Sequence, residues 1–271
     1  MRILSIDIET TGLNRETCQI LEIGIIVEDC ANPLPFDETP QLRLVMDLYS
    51  VFGEPYAINM NARIFRLLAA AQDIRDKAKR QKFKNDNNIV SENTAVRMMW
   101  EFMYLHGFGT NYVIPINFEP GATHMNVDYA TAMKHYGGNK NLIILPSGKQ
   151  REQLKVNVAG KNFGTFDKVF LEKMPGFTDL IRFRQRIIDP STSYADFVND
   201  DELPNMDKCY SKLGVYKSVA HDAVLDAWDV ICLLRPLYST YDVRIGAMSR
   251  TEAISPHVVS PASALRENDQ A

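Results

Sequence analysis

A chain of 271 residues, 45% hydrophobic and 24% charged, has material for one large α/β domain or two small ones around a sizeable core. Its net charge of −4 excludes a protein that grips nucleic acid by bulk positive charge, so any polyanion site must be local or built with metal ions. Neither a cationic-then-apolar leader nor an apolar run of membrane-spanning length is present, so a soluble, cytoplasmic protein with no membrane partner is expected.

Arg2 to Ile8 is apolar and β-prone, and reads as the opening strand. Side chains alternate across a strand, so Asp7 and Glu9 project from one face and Ile6 and Ile8 from the other. Thr10-Thr11-Gly12 ends it. Two carboxylates side by side resist joint ionisation, and a hard divalent cation relieves their repulsion. The same short pattern also fits two ordinary solvated acids, so other segments have to decide. Cys18 to Glu28 reads as a second strand, joined to the first by the hairpin link Asn14-Arg15-Glu16-Thr17. After the turn Asn32-Pro33-Leu34-Pro35, Gln41 to Asp47 supplies a third strand and completes an antiparallel meander.

From Asn59 to about Lys84 the period becomes helical, with Ile64, Leu67, Leu68 and Ala71 on one stripe. The basic end of this helix, Arg75 to Lys84, fits either a solvated terminus or a ridge that tracks phosphates. Ser91 to Thr94 caps a helix running to His106, and another is expected from Asn126 to Tyr136, stopped by Gly137-Gly138. Lys155 to Val158 reads as a strand, Asn162 to Lys173 as a helix, and Arg184 to Ile188 as a strand stopped by Asp189-Pro190. Met206 to Leu213 and His221 to Tyr238 are helical, the latter with Val224, Ala227, Trp228, Ile231 and Leu234 on a broad apolar face. The four cysteines, Cys18, Cys30, Cys209 and Cys232, contain no C-x-x-C pair, which argues against structural zinc and for reduced, mostly buried thiols. One elaborated domain over residues 1–250 is expected, with 55–150 as a helical elaboration within it and 251–271 as a mobile tail.

Two further acidic sites fit the first pair. Asp167 lies in Asn162-Phe163-Gly164-Thr165-Phe166-Asp167, and His221 stands five residues before Asp226 at a helix start. In order, D-x-E-T-T-G, N-F-x-x-F-D and H-x-x-x-x-D resemble the DEDD exonuclease superfamily in its histidine variant, the group of proofreading subunits, ribonuclease T and oligoribonuclease. The match covers the opening strands and Lys155 to about Tyr238. It does not extend well over Pro55 to Gln150, and Lys161 stands where many relatives have His.

The resemblance implies an α/β, ribonuclease H-like domain: a mixed five-stranded sheet, antiparallel on one side and parallel on the other, flanked by helices. It implies 3′–5′ exonuclease action on single-stranded nucleic acid with a free 3′ end, assisted by two Mg²⁺ or Mn²⁺ ions about 3.5–4 Å apart. Asp7 would bridge the ions, Glu9 and Asp226 would hold the one on the nucleophile side, and Asp167 would act through water. His221 would take the proton of the attacking water, since histidine is the side chain that ordinarily does so near neutral pH. Thr10 would meet the terminal sugar through its backbone, Leu13 would wedge beside the last base, and Asn162 would contact substrate. Phe163 and Phe166 are candidates for base stacking, with core packing the alternative for one of them. The Thr-Thr form of the first motif favours DNA slightly over RNA, whose trimming is the alternative; an inactive binding module on the same fold is the rival from another class. A homo-oligomer or a replication or repair partner is the implied assembly.

Overall fold

The computed structural model describes residues 1–109, 142–144, 150–215 and 221–239. Strands β1 (Arg2–Thr10), β2 (Ile20–Asp29) and β3 (Gln41–Met46) form an antiparallel meander. Helices α1 (Pro55–Met60), α2 (Ala62–Asp73) and α3 (Lys77–Asp86) follow, then the short strand β4 (Ile89–Val90) and α4 (Glu92–Met103). A hairpin of β5 (Leu142–Ile144) and β6 (Gln150–Glu152) precedes β7 (Leu154–Val156) and β8 (Val158–Ala159). The described chain closes with α5 (Asp167–Leu171), α6 (Phe177–Leu180), β9 (Ile181–Phe183), α7 (Ser191–Tyr194), α8 (Met206–Lys212) and α9 (Ala223–Ser239).

The main sheet has the order β4-β3-β2-β1-β8. β8 runs parallel to β1, and Ile188 extends that side through a parallel bridge to Ala159. This is the α/β mixed sheet flanked by helices that the resemblance implied, except that β4 adds a parallel edge strand beside β3.

Alternation in β1 and β2 builds two different faces. Leu4, Ile6, Ile8, Ile23 and Ile25 enter a core with Met99 and Trp100 of α4 and with Phe163, Phe170 and Phe177. Burying each large apolar side chain is worth about 1.5–3 kcal/mol, so this face supplies much of the stability. On the opposite face α9 lies across the sheet, with Val224, Ala227, Trp228 and Ile231 against Ile26. The Ser5 hydroxyl donates to the Ala227 carbonyl at 2.8 Å, so even the polar position of β1 is spent on docking this helix. Asp7 and Glu9 continue the same row beyond Ser5, toward the start of α9.

Several elements differ from expectation. The helix expected from Asn59 to Lys84 is divided among three, broken at Asn61 between α1 and α2 and again after Ile74, where Asp76 caps a fresh start by accepting from the Lys79 N–H at 2.8 Å. The run Lys155–Val158 divides between β7, which pairs with β9, and β8, which pairs with β1. The helix expected from Asn162 begins only at Asp167, since Asn162 is left-handed with φ 54° and the residues after it form turns. Strand pairing expected over Arg184–Ile188 falls earlier, at Ile181–Phe183, leaving one bridge at Ile188. His221 precedes α9 rather than belonging to it, with φ 49°. The helix expected over Asn126–Tyr136 and the tail beyond Arg250 lie outside the described residues. No helix among the described residues is long and apolar enough to cross a membrane.

Candidate active site

Three separated segments meet at the end of β1. Asp7 and Glu9 come from the strand itself. Asp167 reaches them from the first turn of α5, where its Oδ1 accepts the Ile8 N–H at 3.1 Å. Asp226 comes from the first turn of α9. Ligand atoms of Glu9, His221 and Asp226 all lie within 4.8 Å of one another, Glu9 buried and His221 exposed at the mouth.

Gly24 makes this meeting possible. It stands opposite Asp7 in the β1–β2 register, and a Cβ there would lie 2.1 Å from the Ala223 carbonyl carbon and 2.3 Å from the Val224 nitrogen. Only a residue without a side chain lets the start of α9 press onto β2 so closely, which brings Asp226 over the carboxylates of β1.

The electrostatics are those of an acid cluster short of cations. Burial, with Asp167, Asp226, Glu9 and Glu22 as charged neighbours, holds the Asp7 carboxyl well above the usual carboxylate range. Burial and Asp226 push Glu9 up to about 7, against the opposing pull of Asn61 and Arg63. Asp167, 3% exposed, is likewise pushed up to about 7, chiefly by burial and despite the backbone N–H groups that it accepts. Among the described residues no lysine or arginine forms an ion pair with Asp7, Glu9 or Asp167. Carboxylate oxygens whose charge burial makes costly could hold a divalent cation, with His221 at the edge of the cluster.

A second layer escaped the reading of the sequence. Glu22, opposite Glu9 in the ladder, is fully buried and held by Arg43 at 2.7 Å and Arg63 at 2.7 Å. Arg43 also reaches Asp222 at 2.6 Å, in the segment that joins His221 to Asp226. Burial pushes Asp222 up, but the Arg43 hydrogen bond and charge outweigh it and hold the carboxyl below its usual range. Asn61, 3% exposed at the junction of α1 and α2, donates to the Thr10 carbonyl at 3.2 Å. The only visible signal for this layer was Glu22, a charge inside the apolar run Gln19-Ile20-Leu21-Glu22-Ile23-Gly24-Ile25.

The expected substrate contacts fare differently. Thr10 is buried, its hydroxyl donating to the Gly12 carbonyl at 2.7 Å, which leaves its side chain a turn-former. Leu13 is 75% exposed, and its N–H is fixed by Glu54 at 3.1 Å. Asn162 is exposed, but its backbone N–H turns to Asp189 at 3.0 Å. Phe163 is corrected: it is fully buried, edge-on to Phe183 with ring centroids 4.9 Å apart, so no base can reach its ring. Phe166 is only partly buried, its ring centroid 5.2 Å from that of Phe170. The basic residues of α3 are partly spent locally, Lys82 on Asp86 and Lys84 on Asp47, each at 2.6 Å.

No family model matches the chain, and no curated protein matches it in sequence. Among solved structures it is similar to cell-death related nuclease 4, at 11% identity and a TM-score of 0.47, over 88% of this chain and 64% of that one. It is similar to E. coli exonuclease I in complex with a dT13 oligonucleotide, at 14% identity and a TM-score of 0.46, over 89% and 43%. Exonuclease I from Methylocaldum szegediense gives 14% identity and a TM-score of 0.45, over 90% and 41%. The chain therefore spans less than two thirds of each of these structures. With identities this low, any assignment of roles rests on the site's own geometry.

Proposed function

We propose that the chain is a 3′–5′ exonuclease that hydrolyses phosphodiesters of single-stranded nucleic acid, DNA in preference to RNA, and releases nucleoside monophosphates with the help of two Mg²⁺ or Mn²⁺ ions. The observation that carries this reading is the convergence of Asp7, Glu9, Asp167 and Asp226, with His221 at the mouth, on one sheet end where burial raises the carboxyls of Asp7, Glu9 and Asp167.

The ions would supply electrostatic stabilisation of the attacking and leaving oxygens. Asp7, Glu9, Asp167 and Asp226 would hold them. An anionic phosphodiester entering an acid cluster is otherwise repelled, so the reading requires that these carboxylates be neutralised by cations when substrate arrives. His221 is exposed, stands beside Glu9 and Asp226, and is free of the helix that follows, so an imidazole nitrogen can take a proton from the attacking water. The backbone around Thr10 and the exposed Leu13 side chain would be the contacts of a terminal nucleotide. An acidic chain lacks the charge to hold a long duplex, which favours threading of a free end.

The test is a time course with 5′-labelled single-stranded DNA and RNA of equal sequence, with and without Mg²⁺ or Mn²⁺. Stepwise shortening of the labelled strand that requires a divalent cation is the expected result. Internal cuts would instead indicate an endonuclease, and binding without cleavage an inactive module.

A further inference from the structure

Arg43 and Arg63 look at first like the surface cations of an ordinary strand and helix, yet both turn inward to the same buried carboxylate. Arg43 gives Glu22 one guanidinium nitrogen at 2.7 Å and Asp222 the other at 2.6 Å. Arg63, from the first turn of α2, donates to both oxygens of Glu22, at 3.2 and 2.7 Å, and lies 3.5 Å from Asp222. Glu22 also accepts the Ala223 N–H at 3.2 Å. Asp222 in turn accepts the N–H groups of Val224 and Leu225, both at 3.2 Å, and so caps α9.

We propose that Arg43 and Arg63, through the shared Glu22, are positioning residues that clamp the start of α9 onto the sheet and so fix His221 and Asp226 relative to Asp7 and Glu9. This rests on the exonuclease reading above for the use of those four residues, while the clamp itself is a matter of geometry.

Two features favour a positioning role over a merely stabilising one. A fully buried Glu22 is expensive to desolvate, and well-packed apolar residues of similar volume commonly serve stability as well or better. What an apolar contact lacks is direction: Arg63 grips both oxygens of Glu22 and Arg43 spans from Glu22 to Asp222, which fixes the two carboxylates in angle as well as distance. The site also needs that precision at this point, because His221 sits just before α9 in a left-handed conformation and Asp226 just inside it. The extra segment ahead of α4 acquires a purpose in the same way. Glu54 fixes Leu13, Asn61 fixes the Thr10 carbonyl and Arg63 fixes the α9 start, so one stretch braces both the first and the last acidic motif.

The test uses the full chain with Arg63→Gln, Arg63→Lys and Arg43→Lys. Arg63→Gln leaves Arg43 on Glu22, so the fold should persist, and the lysine variants keep the charge but lose the fork. Three quantities are read: amide hydrogen exchange at Ala223, Val224 and Leu225, Mn²⁺ affinity by calorimetry, and kcat and KM on a labelled strand. The expected result for Arg63→Gln is exchange at those amides faster by tenfold or more, weaker Mn²⁺ binding, and a lower kcat at little-changed KM. Arg63→Lys should recover only part of this. Exchange and Mn²⁺ affinity at parental values would overturn the clamp. So would full recovery with lysine, which would reduce Arg63 to a point charge near Glu9. If the parent neither binds Mn²⁺ nor cleaves, the exonuclease reading falls, and the exchange measurement still decides on the clamp. Should Arg63→Gln fail to fold, the two lysine variants carry the same comparison.

Discussion

The face between the sheet and α9 holds buried carboxylates at both of its ends, and the two ends are treated in opposite ways. At one end Glu28, 1% exposed, is met by the Arg235 guanidinium at 3.0 and 2.7 Å, and the Tyr238 hydroxyl donates to it as well. Arg235 further sits 4.5 Å from the centre of the Trp228 ring. Charge, hydrogen bonds and packing there are all satisfied, as a buried ion pair requires if it is to persist. At the other end Asp7, Glu9 and Asp167 are also buried or half-buried, yet the nearby arginines are spent on Glu22 and Asp222. The same sheet and the same helix can neutralise a buried acid. Leaving three of them without an ion pair at one end is therefore a feature of the site rather than a limit of the fold.

That contrast should be breakable from both sides. Asp7→Asn should abolish turnover, by 10³-fold or more, because the residue sits at the centre of the cluster. It should leave the melting temperature unchanged or raised, because it relieves carboxylate repulsion. Activity within about tenfold of the parent, roughly 1.4 kcal/mol of barrier, would remove Asp7 from the site. Arg235→Met should do the reverse, costing about 3–5 kcal/mol of stability by stranding Glu28, while the protein that remains folded keeps its kcat. Urea unfolding and turnover measured on both variants would show whether the two effects separate.

His221→Asn sharpens the comparison within the active end. If the imidazole accepts the proton of the attacking water, turnover should fall by roughly 10²–10⁴ with Mn²⁺ affinity little changed. Loss of stability and activity together would make His221 a structural residue.

A smaller effect should appear in stability against pH. Folding raises the Glu9 carboxyl from 4.5 to about 7, so in the absence of divalent cations the folded chain binds protons that the unfolded chain has released. The resulting stability is fully present below pH 4.5 and is lost as pH rises through about 7. The melting temperature of the cation-free protein should therefore fall between pH 5 and 7.5, and Glu9→Gln should flatten part of that slope. An identical slope in parent and variant would contradict the raised carboxyl.

Much of the active end was legible in the sequence because its signals are local. Alternation alone put Asp7 and Glu9 on one face, and the order of the three short motifs pointed to Asp167, His221 and Asp226. The meander was legible for the same reason, since β2 is rich in β-branched residues and its link to β1 is short. What escaped depends on partners far apart in the chain. Arg43 and Asp222 are 179 residues apart, and neither position is unusual by itself. Glu22 is a lone charge within an otherwise apolar stretch, and its burial under α9 depends on that distant helix. Gly24 could not be valued until the helix backbone was seen pressing on it. Between stacking and core packing, Phe163 takes the second: residues 161–166 form turns rather than a helix, and the ring lies in the core beside Phe183. The single long helix after β3 failed for a local reason: Asp76 is a good cap in the middle of an otherwise helical pattern.

The central claim is that the acids without an ion pair are held ready for divalent cations, and calorimetric titration with Mn²⁺ near pH 6.5 tests it most directly. Run in two buffers of different ionisation enthalpy, it reports both binding and proton release. With Glu9 and Asp167 each titrating at about 7, saturable binding should expel protons, and the double variant Asp7→Asn, Glu9→Gln should abolish it while Arg235→Met leaves it intact. Absence of saturable binding in the parent, or binding that survives the double variant with the same proton release, would contradict the account.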